Sequence, residues 1–332
     1  MAFTSCFNRR RSWVWALALG TSLWASGAIA ADDAFPSKPI RIIVPFTPGG
    51  VTDTSARLVA EHLGRRLNQQ IVIDNKPGAS GNIGMAMVKA AAPDGYTWVM
   101  GFDGTMVINP HVFAKVGFDP IADYAPIGKI GDATLILVAN PNVPAKNLQE
   151  LIALSKKTPG GLSYGTSGTG STPHIAGELF KIRSGAQLTH VPYKGGGQAM
   201  IDVMGGSIPL VYTAVAGAYN HVKSGKLKPM AVSSPQRASS LPDVPTFAES
   251  GVSDFNAASW VGFLAPAQTP AAIIQKLNAE LNATLNDPVV RDKLRVLGIE
   301  ATPGSPEAFR DEIRRDLNRY GPVVKAAGIQ VE

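Results

Sequence analysis

Four short segments concentrate the groups that could do chemistry: "FTPGGVTD" from Phe46, "KPGASGNIG" from Lys76, "GTSGTGSTPH" from Gly165 and "PYKGGGQ" from Pro192. Each is rich in glycine and neutral donors, each opens a predicted helix, and none contains arginine. A helix start carries unpaired amides and the positive end of the helix dipole, so these loops suit an anion that reaches the backbone. Phosphate fits poorly. A P-loop puts Lys and Ser or Thr after its last Gly, and a dinucleotide loop spaces its glycines G-x-G-x-x-G; Gly49-Gly50-Val51-Thr52 offers neither. A carboxylate fits without a cationic side chain.

Enzymatic readings of the same residues are weaker. The nucleophile-elbow pattern G-x-S-x-G is met loosely around Ser167, but the last glycine, Gly168, arrives one residue early. His174 follows seven residues later and is expected in packing rather than at a base position. The five histidines are dispersed, with no H-x-x-x-H pair, so neither a metal nor another cofactor is expected. Asp53 has two readings, a partner for a cationic amino group or a first-turn acid that takes orphan amides; the second is preferred. Lys194 is either a counter-charge for a carboxylate or a cation at a cleft rim. Phe46, Phe102, Tyr193, Tyr212 and Trp260 fall at strand ends, where they either wall a ligand or fill the core.

The elements that carry these loops alternate. "PIRIIVPF" is a near-continuous apolar run, as in a parallel strand covered on both faces. The helix after it presents Ala56, Val59, Ala60, Leu63 and Leu67 on one side. "QIVIDN", a helix over about 82–92 and the strand "YTWVMGF" follow. The pattern restarts after "TLILVAN": helix 148–157, strand "LSYGT", helix 173–183, strand "LTHVPY", helix 198–204 and strand "IPLVYT". A third block opens at "SWVGFLAP" and closes with amphipathic helices over about 270–286, 288–297 and 306–320, each with a proline in its first turn. "FRDEIRRDLNRY" reads as a solvated helix face. Strand–loop–helix repetition predicts an α/β fold. Two crossing segments, "DATLILVANP" and "ASWVGFLAP", would divide it into a first lobe over 35–133 plus 260–332 and a second over 134–259, with a ligand cleft between.

The chain has 332 residues and a formal charge of +6. Residues 1–30 have the three parts of a secretory signal: Arg9, Arg10 and Arg11, then an apolar run from Trp13 to Leu23, then Ala28-Ile29-Ala30. Cleavage after Ala30 would leave 302 residues, take away the three arginines for a net +3, and remove Cys6, the one cysteine. A thiol-free exported chain points to a bacterial periplasm, and rules out a disulfide framework or a cysteine nucleophile. The charge is ordinary and no basic run is interleaved with aromatics, which argues against nucleic acid. No mature segment approaches the ~18 apolar residues of a membrane span.

Seven segments, in order, carry a resemblance: "PSKPIRIIVPFTPGGVTDTSARLVAEHL", "VIDNKPGASGNIG", "AAPDGYT", "LSYGTSGTGSTPHIAGELF", "HVPYKGGGQAMIDVMGG", "LPDVPTFAESG" and "VKAAGI". They cover essentially all of the mature chain and are similar to the Bug family, the periplasmic solute receptors of tripartite tricarboxylate transporters. The resemblance implies a type II periplasmic binding protein, two α/β lobes joined by two hinge strands in a Venus-flytrap arrangement. It implies a monomer, without catalysis, that holds a carboxylated solute by main-chain amides and hydroxyls and delivers it to membrane subunits. Carried over by motif, the ligand contacts would be Phe46, Gly50, Ala79, Ser80 and Thr105 in the first lobe, and Thr166, Ser167, Thr169, Ser171, Tyr193 and Gly195 in the second. At "GFDGT" the chain departs from the commonest family pattern. There Phe102 could favour an aromatic ring and Asp103 an amino group. A dicarboxylate bridging both lobes is the favoured solute, with an aromatic spacer, as in terephthalate, if Phe46, Phe102 and Trp260 face the cleft. If they are buried, a C4 to C6 aliphatic diacid or an acidic amino acid is favoured.

Overall fold

A computed structural model describes residues 35–253, 255 and 257–329; the expected leader, residues 1–30, lies outside them. Strand β1 (Ile40–Val44) buries Ile40, Ile42, Ile43 and Val44 and exposes only Arg41, which pairs with Asp74. Helix α1 (Val51–Leu67) turns Ala56, Val59, Ala60, Leu63 and Leu67 inward and stops at Asn68, whose φ of 49° is left-handed. Strand β2 (Ile71–Asn75) pairs parallel with β1, and after a short 3-10 turn, α2 (Asn82–Lys89) leads to β3 (Thr97–Phe102), parallel on the other side of β1. A wide helical turn over Gly104–Ile108 and the short α3 (Asn109–Val112) bring the chain to β4 (Tyr124–Ala139).

The second half repeats the alternation: α4 (Leu148–Lys157), β5 (Leu162–Thr166), α5 (Thr172–Ser184), β6 (Leu188–Pro192), α6 (Gly196–Met204), β7 (Leu210–Ala214), α7 (Val215–Lys223) and β8 (Lys228–Val232). The chain returns through β9 (Ala258–Pro266) to α8 (Ala271–Asn286), α9 (Pro288–Val296), β10 (Ile299–Ala301) and α10 (Pro306–Ala327). Strand order is β2-β1-β3-β9-β4-β7-β5-β6, with β8 and β10 also paired to β4. Strand β4 is the spine. Its residues from Tyr124 to Thr134 pair antiparallel with β9, and those from Leu135 on pair with β7 and β8. Two α/β lobes result, joined by β4 and β9, each with its own core. Val99, Met106, Tyr124, Trp260, Leu264 and Phe309 belong to one; Ile136, Met200, Val211, Val232 and Leu241 belong to the other.

Three segments depart from the sequence expectation. Strand β4 starts ten residues before "TLILVAN", through Pro126 and Gly131, residues that discourage strands. Both fall where the β4–β9 register shifts, so the ladder passes them as irregularities. Helix α10 continues past Tyr320 and through Pro322. A proline there lacks an amide for the helix ladder, but Val324 and Ile329 beyond it are buried in the first core, and that packing holds the extra turns. The charged face of α10 is not wholly solvated either: Asp316 turns in to accept a hydrogen bond of 2.9 Å from Trp260 Nε1.

Candidate functional site

The first-turn amides of a helix need partners, and where a helix lacks a side-chain cap something else must supply them. Asn147, Asp287 and Ser305 cap α4, α9 and α10 through their side chains. Helices α1, α2, α3, α5, α6, α7 and α8 have no such cap; four of these, α1, α5, α6 and α7, begin at Gly50, Ser171, Gly195 and Ala214. All four starts meet at one pocket. It is lined by Phe46, Gly50, Val51 and Thr52 around the start of α1, Phe102 at the end of β3, Leu135 on β4, Ser167 and Pro173 around the start of α5, Gly196 on α6, and Thr213 and Ala214 at the start of α7. Its atom-free space, counting the mouth, is about 340 Å³. No lining residue is ionisable. Four positive dipole ends therefore focus on a small, largely apolar space, where an anion is favoured and a fixed cation is not needed. Ser167 adds a buried hydroxyl with no protein partner.

One wall is aromatic. Phe46 and Phe102 meet edge to face, 5.5 Å between centroids at 82°, and both are nearly fully buried. Trp260 and Tyr212 are not part of that wall: Trp260 packs on Phe309 in the first core, and Tyr212 stacks on Phe247 in the second lobe. Tyr193 donates from its hydroxyl to Asp202 and does not line the pocket.

Of the residues expected at the site, Phe46, Gly50, Phe102 and Ser167 line the pocket. The others stand behind it or at its edge. Thr105 donates to the Ser80 carbonyl at 2.9 Å, holding a turn in which Ala79 and Ser80 both have positive φ. Ser171 donates to the Gly168 carbonyl at 2.7 Å, and Thr166 meets His190 Nε2 at 2.6 Å. Thr169 does not line the pocket, nor does Gly195, the residue at which α6 begins. Thr52, Leu135, Thr213 and Gly196 also line it without having been singled out as ligand contacts, although Thr52 lies in "FTPGGVTD". Of these, Gly196 carried a signal, because "KGGGQ" opens α6.

The two lobes touch beside this pocket, where the Thr47 amide donates to the Lys194 carbonyl at 3.4 Å. At two glycines the backbone comes too close to the opposite lobe for a side chain. A Cβ at Gly197 on α6 would fall 2.0 Å from the Pro48 carbonyl oxygen, and one at Gly168 would fall 2.5 Å from Ser80 Oγ. Glycine is required at both places for this approach.

The charged candidates resolve differently. Asp53 is in the first turn of α1, where its carboxylate accepts from the Gly49 amide at 3.0 Å, from Arg57 and from Asn75. Burial works against its ionisation, but these partners outweigh it and hold the carboxyl below its ordinary value. Lys194 is exposed and does not line the pocket. Two of the histidines, expected to be dispersed, stack. His174 and His190 lie 3.7 Å apart at 16°, with the His174 Nδ1 accepting from the Gly170 amide at 3.2 Å. Burial pushes them down to about 4 and about 3, so both are neutral at pH 7. Sixteen residues on different elements separate them, so no spacing rule could have paired them. With these imidazoles turned to Gly170 and Thr166, neither is hydrogen-bonded to Ser167 or Ser171. Among the described residues no cluster of three or more metal-ligating side chains occurs, and no helix is long and apolar enough to cross a membrane.

Residues 55–329 match the family model described as tripartite tricarboxylate transporter family receptor. The chain belongs to this family, the Bug receptors. It is 33% identical over 312 residues to Protein BugT of Bordetella pertussis, covering 93% of this chain and 96% of that protein. The structure of R. palustris Rpa4515 with adipate is 35% identical, with a TM-score of 0.86 over 89% of this chain and 99% of the other. That of MatC (Rpa3494) from Rhodopseudomonas palustris with bound malate is 30% identical, with a TM-score of 0.82 over 87% and 100%. The receptor is thus a periplasmic solute-binding protein with the two-lobed fold of its relatives.

Proposed function

We propose that this receptor captures a dicarboxylate between its lobes in the periplasm and passes it to the membrane subunits of a tripartite tricarboxylate transporter. The observation that carries the reading is the meeting of four uncapped helix starts and the unpartnered Ser167 hydroxyl at a pocket without ionisable side chains. A carboxylate there gains hydrogen bonds worth about 1.5–3 kcal/mol each, because the acceptor is charged. Phe46, Phe102, Val51 and Leu135 take its apolar body. The relatives with adipate and malate hold diacids of six and four carbons. An aliphatic C4 to C6 diacid is favoured over terephthalate, because Trp260 is withdrawn into the core and leaves no second face for a ring to stack on. An acidic amino acid is less suited, because Asp103 does not line the pocket.

The working contact set is Phe46, Gly50, Thr52, Phe102, Ser167, Gly196 and Thr213, with Thr105, Thr166, Ser171 and Tyr193 holding the loops that present it. The lobes divide at Thr134 and Trp260, where β4 exchanges β9 for β7 and β8 as partners. Residues 1–30 act as the export signal, cleaved after Ala30, and the protein works as a monomer without catalysis.

A thermal-shift screen of mono- and dicarboxylates, aliphatic and aromatic, tests the reading. A solute at 100 times its Kd stabilises the fold by about 2.7 kcal/mol. Adipate or malate is expected to shift the transition more than hexanoate or butyrate. Shifts with uncharged solutes alone refute the carboxylate, and ester hydrolysis that Ser167→Ala abolishes would make the protein a hydrolase.

A further inference from the structure

Leu135 of β4 lines the solute pocket, and its neighbour Thr134 lines a second cavity. Successive residues of a strand point to opposite faces, so β4 stands between the two, with the solute pocket in front and a groove behind. Ile136, on the same face as Thr134, packs in one core with Ala238 of the groove, as this alternation requires. The groove has about 850 Å³ of atom-free space, counting its open mouth, and a wall from each lobe. Residues 234–239, after β8, form one wall; Arg295 of α9 with Gly298, Ile299 and Glu300 around β10 form the other. The two walls are fastened to consecutive residues of β4: the Gly298 carbonyl accepts from the Thr134 amide, and the Ser233 amide donates to the Leu135 carbonyl, each at 2.9 Å. Between those two residues β4 exchanges its partners in one lobe for those in the other. The arginines of the groove spend their charge within their own walls, Arg237 on Glu249 at 2.9 Å and Arg295 on Asp292 at 3.1 Å.

We infer that this rear groove sets the balance between the open and the closed receptor: it widens as the lobes close over a solute in front and narrows as they part, so that bulk placed in it favours capture. The inference rests on the proposal that a solute is held between the lobes. Its basis is leverage. Pocket and groove lie on opposite faces of one strand, and each is walled by both lobes, so a rotation about β4 that brings the front walls together carries the rear walls apart. Side chains in the groove touch no solute, yet they change its affinity, because the apparent Kd is the intrinsic one divided by the fraction of empty molecules already in the binding form. Gln236 and Ser239, both exposed, are positioning residues in this sense. The natural wall over 234–239 is mostly small, with Ser234, Pro235, Ala238 and Ser239, and leaves the groove unfilled. An empty receptor is thereby left free to open, which suits a protein that must give its solute up.

Ser239→Trp fills the groove from an exposed position. Where about 10% of empty molecules are closed, full closure tightens adipate binding up to roughly tenfold, and small-angle scattering should show the empty variant more compact than the natural protein. Gln236→Trp on the same wall should act alike, whereas Lys223→Trp, exposed on α7 and outside the groove, should change neither reading. Adipate affinity no tighter than that of the natural protein in either folded groove variant overturns the inference. Thr134→Cys decides the matter if neither tryptophan variant folds. In the processed chain, from which Cys6 leaves with the proposed leader, it is the one thiol. A maleimide fluorophore should label it faster with saturating adipate than without, the reverse of protection by a ligand; equal or slower labelling overturns the inference. A failure of every diacid to bind the natural protein would instead refute the proposed function, and compaction of the empty tryptophan variants would still test the groove.

Discussion

Gly197→Ala isolates closure from every other contribution to binding. The residue is in the first turn of α6 and does not line the pocket, yet an added Cβ would stand 2.0 Å from the carbonyl oxygen of Pro48 in the opposite lobe. A carbon and a carbonyl oxygen settle at about 3.3 Å, so the lobes must part by roughly 1.3 Å at this point. A hydrogen bond of about 2.9 Å stretched by that amount is no longer one. Loss of one or two amide contacts to a carboxylate, at about 1.5–3 kcal/mol each, predicts a loss centred near 3 kcal/mol, or roughly 100-fold in Kd. The unliganded protein should lose nothing, since alanine exceeds glycine as a helix former by about 1 kcal/mol in a helix interior. Calorimetric titration with adipate gives the affinity, and small-angle scattering with and without it gives the compaction. A Kd within threefold of the natural protein, with full compaction, would refute the backbone contact as the limit of closure.

Ser167→Ala removes a hydroxyl with no protein partner, so the melting temperature without solute should stay put while adipate affinity falls about 10- to 150-fold; a destabilised apo protein would contradict the ligand-facing role. Trp260→Phe should cost about 2 kcal/mol in guanidinium unfolding, through the lost bond to Asp316 and the lost ring volume, with adipate affinity within threefold. The stacked histidines bind protons in the unfolded chain near pH 6.5 but resist them in the fold down to about 4 and about 3. Their contribution to stability is therefore complete above pH 6.5 and lost as pH falls below it. Between pH 6 and 5 the natural protein should lose about 2 kcal/mol more than the double variant His174→Gln/His190→Gln, as read from urea midpoints; parallel pH profiles would refute the buried pair.

How far the sequence could be read depended on whether a local pattern matched the force that places each residue. Strand β1 and helix α1 were legible because burial on both faces of one, and on one face of the other, writes itself into consecutive residues. The glycine-rich loops were legible because backbone approach demands glycine. Thr213 and Ala214 were not: "YTAVAGAYNHVK" is small and mildly apolar throughout, without a turn signal between strand and helix, so the fourth helix start carried no mark. The first half of β4 was hidden by Pro126 and Gly131, whose cost is absorbed by pairing partners more than a hundred residues away. The histidine stack and the bond from Trp260 to Asp316 are likewise tertiary facts.

The four uncapped helix starts have a consequence for the protein when it is empty. A missing N-cap costs a helix about 1 kcal/mol, or a few tenths where glycine stands there as Gly50 and Gly195 do, and here the deficit recurs at α1, α5, α6 and α7 around one point. The solute is then a structural part that the polypeptide omits, a shared cap for helices of both lobes. An empty receptor should fray at those first turns, exchanging its amide hydrogens and admitting proteases there, while a loaded one resists both. Survival of the protein outside the cytoplasm would in that way follow the supply of the compound it collects.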